Sequence, residues 1–320
     1  MLKSMLKEIS ERRDYLNGQK ISSIYFGGGT PSILSILEIN TFIKAIYKFY
    51  SVNKDAEITI ECNPDDLTAL ILLSYKKIGV NRLSIGVQSF DDTDLKFMNR
   101  SHNSEEAIQS IKLAKEIGFK NITIDLIYGL PNQTLESWEN NLKLMFSSQI
   151  QHFSAYSLTI EEKTALYYLV KRKKIAVLSD EKTIQQFNFL QKIAKVKGFV
   201  HYEISNFGKE GYFSKHNTAY WKGNHYIGIG PSAHSYNGNS RRWNVSSNTK
   251  YISSIISNNS YFECEDLSIA QQYNEYIFTS IRTIWGIDSA TLKRRYGEGI
   301  ELHFLKEIKK WQIKKYIVSS

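Results

Sequence analysis

Short apolar runs alternate along the first half of the chain with stretches whose apolar positions recur every three or four residues. Ile24-Tyr25-Phe26, Ile58-Thr59-Ile60, Arg82 to Val87, Ile122 to Ile127 and Phe153 to Leu158 have the length and residue types of strands. Between them, helical spacing is kept first by Leu37, Phe42, Ile43, Ile46 and Phe49, then by Leu67, Leu70, Ile71 and Tyr75. Ala107, Ile108, Ile111, Ala114 and Ile117 keep it next, followed by Leu135, Trp138, Leu142 and Met145. Gly79 and Gly118 stand where two of these helices stop. A succession of βα units predicts a parallel sheet with helices outside, either an open doubly wound sheet or a closed or partial barrel. A polar or glycine-rich segment follows each strand, which favours an α/β partial barrel with its chemistry at the C-terminal strand ends.

The pattern changes at about Thr183. A helix through Phe187, Leu190 and Ile193 leads to Gly198, and a Tyr-, Asn- and Gly-rich stretch with little periodicity then runs to about Asn248. Beyond it Tyr273, Tyr276, Ile277, Ile281 and Ile284 share one helix. The expected division is a βα core over residues 1–182 and a smaller, mostly helical region over 183–320. At the N-terminus Leu2, Met5, Leu6, Ile9 and Leu16 recur at helical spacing among Lys and Glu, unlike the continuous apolar core of a signal peptide. No apolar run approaches the roughly twenty residues of a membrane span, so a cytoplasmic protein without a membrane segment is expected.

Apolar residues at 42% and charged residues at 23% fit an ordinary globular chain and change nothing in this picture. The formal charge of +9 admits an anionic partner. Its densest run, Lys171-Arg172-Lys173-Lys174, reads as a solvated helix end. A basic RNA-binding or RNA-modifying barrel rests on that charge alone, with no stacking motif beside it, so no nucleic-acid partner is expected. Cys62 and Cys264 are the two cysteines. They form no CxxC pair, hence no self-contained thiolate metal site, and both are expected to be buried or half-buried thiols.

Candidate chemistry gathers at the strand ends. Gly27-Gly28-Gly29-Thr30-Pro31 lets backbone groups approach a ligand closely, and Thr30 adds a hydroxyl. Without a ligand the same run makes a tight βα turn; it is neither a dinucleotide fingerprint nor a Walker loop. Glu61 and Gln88 end two further strands, and Asp125 lies near the end of another. With Arg100 they supply acceptors and donors suited to a ligand bearing an amino group, a carboxylate and a ribose. Asp91-Asp92 reads as a helix start.

The strings Tyr-Phe-Gly-Gly-Gly-Thr-Pro-Ser (25–32), Glu-Cys-Asn-Pro-Asp-Asp (61–66), Arg-Leu-Ser-Ile-Gly-Val-Gln-Ser-Phe (82–90) and Asp-Leu-Ile-Tyr-Gly-Leu-Pro (125–131) occur in that order. They resemble radical S-adenosylmethionine (radical SAM) proteins of the oxygen-independent coproporphyrinogen III oxidase family. The resemblance implies a partial, TIM-like (β/α) barrel. It implies that Gly28, Gly29 and Thr30 hold the methionine end of SAM, with Glu61, Gln88, Arg100, Asp125 and Thr159 as further contacts. His216-Asn217-Thr218-Ala219-Tyr220-Trp221 resembles the HNxxYW signature of the family's haem-chaperone branch. There the histidine is associated with haem, and Asn217, Tyr220 and Trp221 come with it. A neutral imidazole is a common axial ligand of haem iron, and Tyr and Trp offer flat apolar surface to a macrocycle. Read on its own, the His216-Asn217 pair is better taken as a hydrogen-bonded histidine.

Residues 202–207 and 228–235 resemble the same branch; a purely structural reading gives a tight bend at Gly228-Ile229-Gly230 and a buried His234. The implied function is haem binding and delivery to a haem-acceptor protein. The alternative is the oxidase itself, an enzyme of porphyrin biosynthesis, against which the HNTAYW string argues. The family also carries CxxxCxxC, the ligands of a [4Fe-4S] cluster, ahead of the glycine turn. The resemblance implies that this chain begins in the helix after that motif, with the first barrel strand outside it, and stops short at 317–320. Neither cysteine matches a cluster position, so no metal ligand is assigned and no SAM cleavage is expected.

Overall fold

The computed structural model describes residues 1–316; the expected early stop at 317–320 lies outside the described residues. In order the elements are α1 (Leu2–Glu11), β1 (Ile21–Phe26), α2 (Ile36–Phe49), β2 (Val52–Cys62), α3 (Ala69–Lys77), β3 (Arg82–Gln88), α4 (Asp92–Phe97) and α5 (Ser104–Glu116). There follow β4 (Asn121–Tyr128), α6 (Leu135–Ser147), β5 (His152–Ser157), α7 (Ala165–Lys171), α8 (Asp180–Val196), β6 (Val200–His201), β7 (Asn206–Gly208) and α9 (Lys215–Trp221). The last are β8 (His234–Tyr236), β9 (Ser240–Asn244), α10 (Asn248–Ile256), β10 (Phe262–Asp266), α11 (Ile269–Ser280), α12 (Ser289–Tyr296) and α13 (Glu298–Ile313).

The chain divides into two compact units, one made of Leu2 and Ile9–Thr218, the other of Met1, Lys3–Glu8 and the chain from Ala219 on. The first holds a seven-stranded sheet in the order β1-β2-β3-β4-β5-β7-β6. β1 to β5 are parallel, and β7 and β6 add antiparallel. Among the described residues β1 and β6 are free edges, so the sheet is open, as a partial barrel is. The helices start where the sequence allows. Ser35 and Asn103 build capping boxes with Glu38 and Glu106, and Asp91 caps α4 as expected of a helix start.

Each strand divides its residues between two faces. Ile58, Ile60, Leu83, Ile85, Val87, Ile122, Ile124, Leu126 and Phe153 point into a core under the helices. The opposite face carries Glu57, Thr59, Glu61, Arg82, Ser84, Thr123, Asp125, His152 and Ser154, most of them buried. A parallel sheet whose inner face is polar must satisfy those groups internally or with a ligand.

The sheet unit runs past the break expected at residue 183. β6 and β7 are two and three residues long, too short for a periodic signal, yet they extend the sheet. Phe207 of β7 stacks on Phe153 of β5 with centroids 4.8 Å apart and planes 2° from parallel, and Phe199 meets Phe153 edge-on at 5.2 Å. The boundary at Thr218 and Ala219 falls inside α9.

The second unit is mostly helical, and it also carries a three-stranded antiparallel sheet, β10-β9-β8, that the apolar pattern did not announce. Its small core is Tyr251, Ile255 and Tyr261. The fully buried Glu8 carboxylate is satisfied by three donors: Gly230 N–H at 2.9 Å, Asn244 Nδ2 at 2.8 Å and Tyr251 Oη at 2.5 Å. His234, read as a buried histidine, is exposed on β8 near Trp243. Gly228 runs close against β8, since a Cβ there would lie 2.2 Å from His234 O, and the bend itself falls at Gly230, with φ of +104°. Cys264 is likewise exposed, because its strand β10 is an edge of this sheet. Among the described residues no helix is long and apolar enough to cross a membrane.

Phe153→Ala removes a fully buried ring that three aromatics pack against. It should cost about 3–5 kcal/mol of stability, measured as a lowered urea midpoint. A loss under about 1 kcal/mol would show that the β5–β7 packing does not hold this end of the sheet.

Candidate functional site

Parallel register brings the polar residues of neighbouring strands level with one another. Tyr25 pairs with Thr59, Glu61 with Ser84, and Asp125 with Ser154. The glycine turn follows β1 directly. Gly28 and Gly29 adopt φ of +76° and +71°, which a side chain would strain, and a Cβ on either would meet open space. The Glu61 carboxylate spans the start of this turn, accepting from Gly28 N–H at 3.1 Å and from Tyr25 Oη at 2.7 Å.

Gln88 and Arg100 converge over Gly86. A Cβ there would lie 2.9 Å from Gln88 Nε2 and 3.5 Å from Arg100 Nη2. Arg100 also donates to Asn63 Oδ1 at 2.7 Å and to Gly86 O at 3.2 Å. Gln88 holds a left-handed φ of +67°, where the β3–β4 register shifts. Such strain at a strand end is the kind that sites retain.

Asp125 is half-buried behind Glu61. Burial pushes its carboxyl up to about 6, with the Glu61 charge adding to the effect, while the Ser154 and Ser84 hydroxyls and Arg82 oppose it.

Below this layer lies a second one. Arg82 is 2% exposed and its Nε stands 3.8 Å from Glu57 Oε2. His152 Nδ1 is 2.6 Å from Thr123 Oγ1 and 3.4 Å from Arg82 Nη2, and its Nε2 is 2.8 Å from Tyr202 Oη. Burial and the neighbouring guanidinium hold this imidazole neutral. Glu57 also accepts from the backbone N–H groups of Lys215 and His216, each at 3.2 Å, and so fixes the first turn of α9.

His216 thereby reaches the polar face. Its ring stacks on Tyr25 with centroids 4.4 Å apart and planes 15° from parallel. Burial, with Arg82 adding to it, pushes His216 down to about 4. Tyr25, Glu57, Arg82, His152 and Tyr202 were not read as site residues. Glu57, Arg82 and His152 stand at alternating charged or polar positions of β2, β3 and β5, whereas Tyr25 lies in the apolar run of β1 and Tyr202 outside any strand, so neither carries that signal.

The other expected residues are placed differently. Thr159 is exposed in the segment after β5, where its Oγ1 donates to Ser157 O at 3.4 Å. Thr30 caps a short 3-10 turn without a side-chain bond. Asn217 lies in α9, its N–H donating to Ser214 Oγ. Tyr220 and Trp221 fall in the second unit, where the half-exposed Tyr220 meets Tyr226 edge-on at 4.5 Å.

SAM, the cofactor this arrangement suggests, fits the donor set. Exposed amides of a glycine turn stand beside a carboxylate, and the buried Thr59 Oγ1 on the same face lacks a hydrogen-bond partner. An iron–sulfur cluster does not fit the residues described. No group of metal-ligating side chains exists among them, and Cys62 lies in the apolar core, where burial pushes its thiol up.

An open, mostly parallel sheet with polar strand ends behind a GGGTP turn defines a protein of radical SAM type, and residues 4–145 match the family model of the radical SAM superfamily. The chain is 35% identical over 283 residues to the haem chaperone HemW of Bacillus subtilis, spanning 88% of this chain and 75% of that protein. It is 34% identical over 290 residues to HemW of Lactococcus lactis, spanning 88% and 76%. The coproporphyrinogen III oxidase HemN of Escherichia coli shares the fold with a TM-score of 0.81 at 23% identity, over 96% of this chain and 74% of that one. This chain belongs to the HemW family.

Asp125 should make stability depend on pH in a definite sense. Its folded value, about 6, lies above the ordinary 3.8, so the ionised form costs stability above pH 6 and the cost is relieved as pH falls toward 4. His216 acts oppositely, losing stability as pH falls from 6.5 toward about 4. Asp125→Asn removes only the first effect. Its stability relative to wild type should be greater at pH 7 than at pH 5 by about 1 kcal/mol, read from urea unfolding at both pH values. An equal difference at both would mean that Asp125 ionises normally.

Proposed function

We propose that this chain binds haem through His216 and hands it to a haem-acceptor protein, with SAM held at the glycine turn of the same sheet. The observation that carries the reading is the state of His216. It lies within the HNxxYW string, at the polar face, and burial beside Arg82 keeps its imidazole neutral down to about pH 4. Axial ligation of haem iron needs an unprotonated ring nitrogen, and this environment supplies one at any physiological pH. Membership of the HemW family, whose relatives are haem chaperones by name, supports the same conclusion. Asn217, Tyr220 and Trp221 complete the string.

For SAM, the turn at Gly28 and Gly29 and Thr30 would hold the methionine end, and Glu61 would take its amino group. Gln88, Arg100 and Asp125 would serve its carboxylate and ribose, with Thr159 as a further contact. Bound there, SAM supplies a sulfonium cation and an adenosyl group. The residues described hold, orient and neutralise charge, and none is assigned a step in bond cleavage.

His216→Ala should weaken haemin binding by about tenfold to a hundredfold or more and shift the Soret band, because even residues that only support a metal ligand cost that much. With wild-type protein the bound spectrum should persist from pH 7 to about pH 5, because His216 stays unprotonated over that range. An unchanged affinity and spectrum in His216→Ala would overturn the assignment.

A further inference from the structure

Tyr25 has no role in the function proposed above, yet it touches both of its halves. One face of its ring carries the His216 imidazole at 4.4 Å. Its hydroxyl donates to Glu61 Oε1 at 2.7 Å, and the other carboxylate oxygen accepts from Gly28 N–H. The ring is boxed in from the side of the turn. A Cβ on Gly27 would stand 2.4 Å from Tyr25 Cε1 and 3.0 Å from Glu61 Oε1, so only glycine lets the turn pass this close. Burial keeps the phenol protonated, and it remains a donor throughout the physiological range. The half-exposed carboxylate, the ring and His216 are therefore linked in one chain of contacts, a hydrogen bond and a stack.

An ammonium group docking on Glu61 must fix that carboxylate. Through the Tyr25 bond it also fixes the ring, and through the stack it fixes the imidazole. Ordering of this chain is incurred once, so a second ligand arriving at the other end meets a site already set. We propose that Tyr25 is a positioning residue that couples the two ligands: SAM at Glu61 tightens haem at His216, and haem tightens SAM by the same factor, as linkage requires. The inference rests on the haem and SAM reading above.

The test titrates the full chain with haemin, followed by Soret absorbance, with and without saturating SAM. In wild type the haemin affinity should rise about fivefold or more with SAM present. Tyr25→Phe keeps the ring under His216 and deletes only the donor to Glu61. Its ratio of affinities with and without SAM should fall to within about twofold of one, wherever its absolute affinity lies. The reverse titration, SAM into haem-loaded and haem-free wild type by calorimetry, should return the wild-type factor and needs no variant to fold. A wild-type factor near one in either direction, or a full factor in Tyr25→Phe, overturns the coupling while leaving haem binding at His216 intact. Haem affinity unaffected by His216→Ala is a different failure: it removes the haem assignment and the coupling built on it.

Discussion

A guanidinium buried inside a sheet obliges its surroundings to answer it, and Arg82 does this here. At 2% exposure it cannot be solvated, so Glu57 and the neutral His152 lie beside it, and Tyr202 and Thr123 in turn hold His152. The consequences reach the surface of the site. Glu57, held by Arg82, anchors the first turn of α9 through two backbone N–H groups. The positive charge of Arg82 helps keep His216 unprotonated and moderates the rise in Asp125. One buried cation thus acts on both the strand-end residues and the histidine beside them, although burial is the larger cause of each shift.

The two faces of the sheet divide the work. The outer face packs into a continuous apolar core under the helices, and the inner face carries the polar groups on the same strands. A carboxylate such as Glu61 can be aimed at the glycine turn because its strand neighbours on both sides are locked by register. The turn itself contributes backbone amides in place of side chains, which suits a small charged ligand approached closely. Preorganisation of this kind is what a binding site needs whether or not chemistry follows.

The likeness to an oxidase and to chaperones illustrates that a fold hosts more than one activity. The shared architecture with HemN extends over nearly the whole chain, yet at 23% identity it speaks for the fold alone. The haem proposal rests instead on a local feature: a histidine on a seven-residue helix, brought to the polar face and kept neutral there.

The alternation of strands and helices, the GGGTP turn and the string of polar strand ends were legible because each depends on neighbours in sequence: periodicity, turn chemistry, a cap. So was the family. The sequence could not show that β6 and β7 belong to the first sheet, since strands of two and three residues carry no period and exist only by pairing with β5. Nor could it show the layer of Arg82, Glu57 and His152 or the stack of Tyr25 on His216, whose members lie far apart in the chain and meet only through register and packing. His234 and Cys264 erred the other way: residue types that usually sit inside lie exposed, because their strands form a small sheet with open edges. Local pattern determined the elements and the residues at their ends. Only the tertiary structure decided which of those residues share a charge, a proton or a ring face, because those interactions act through space rather than along the chain.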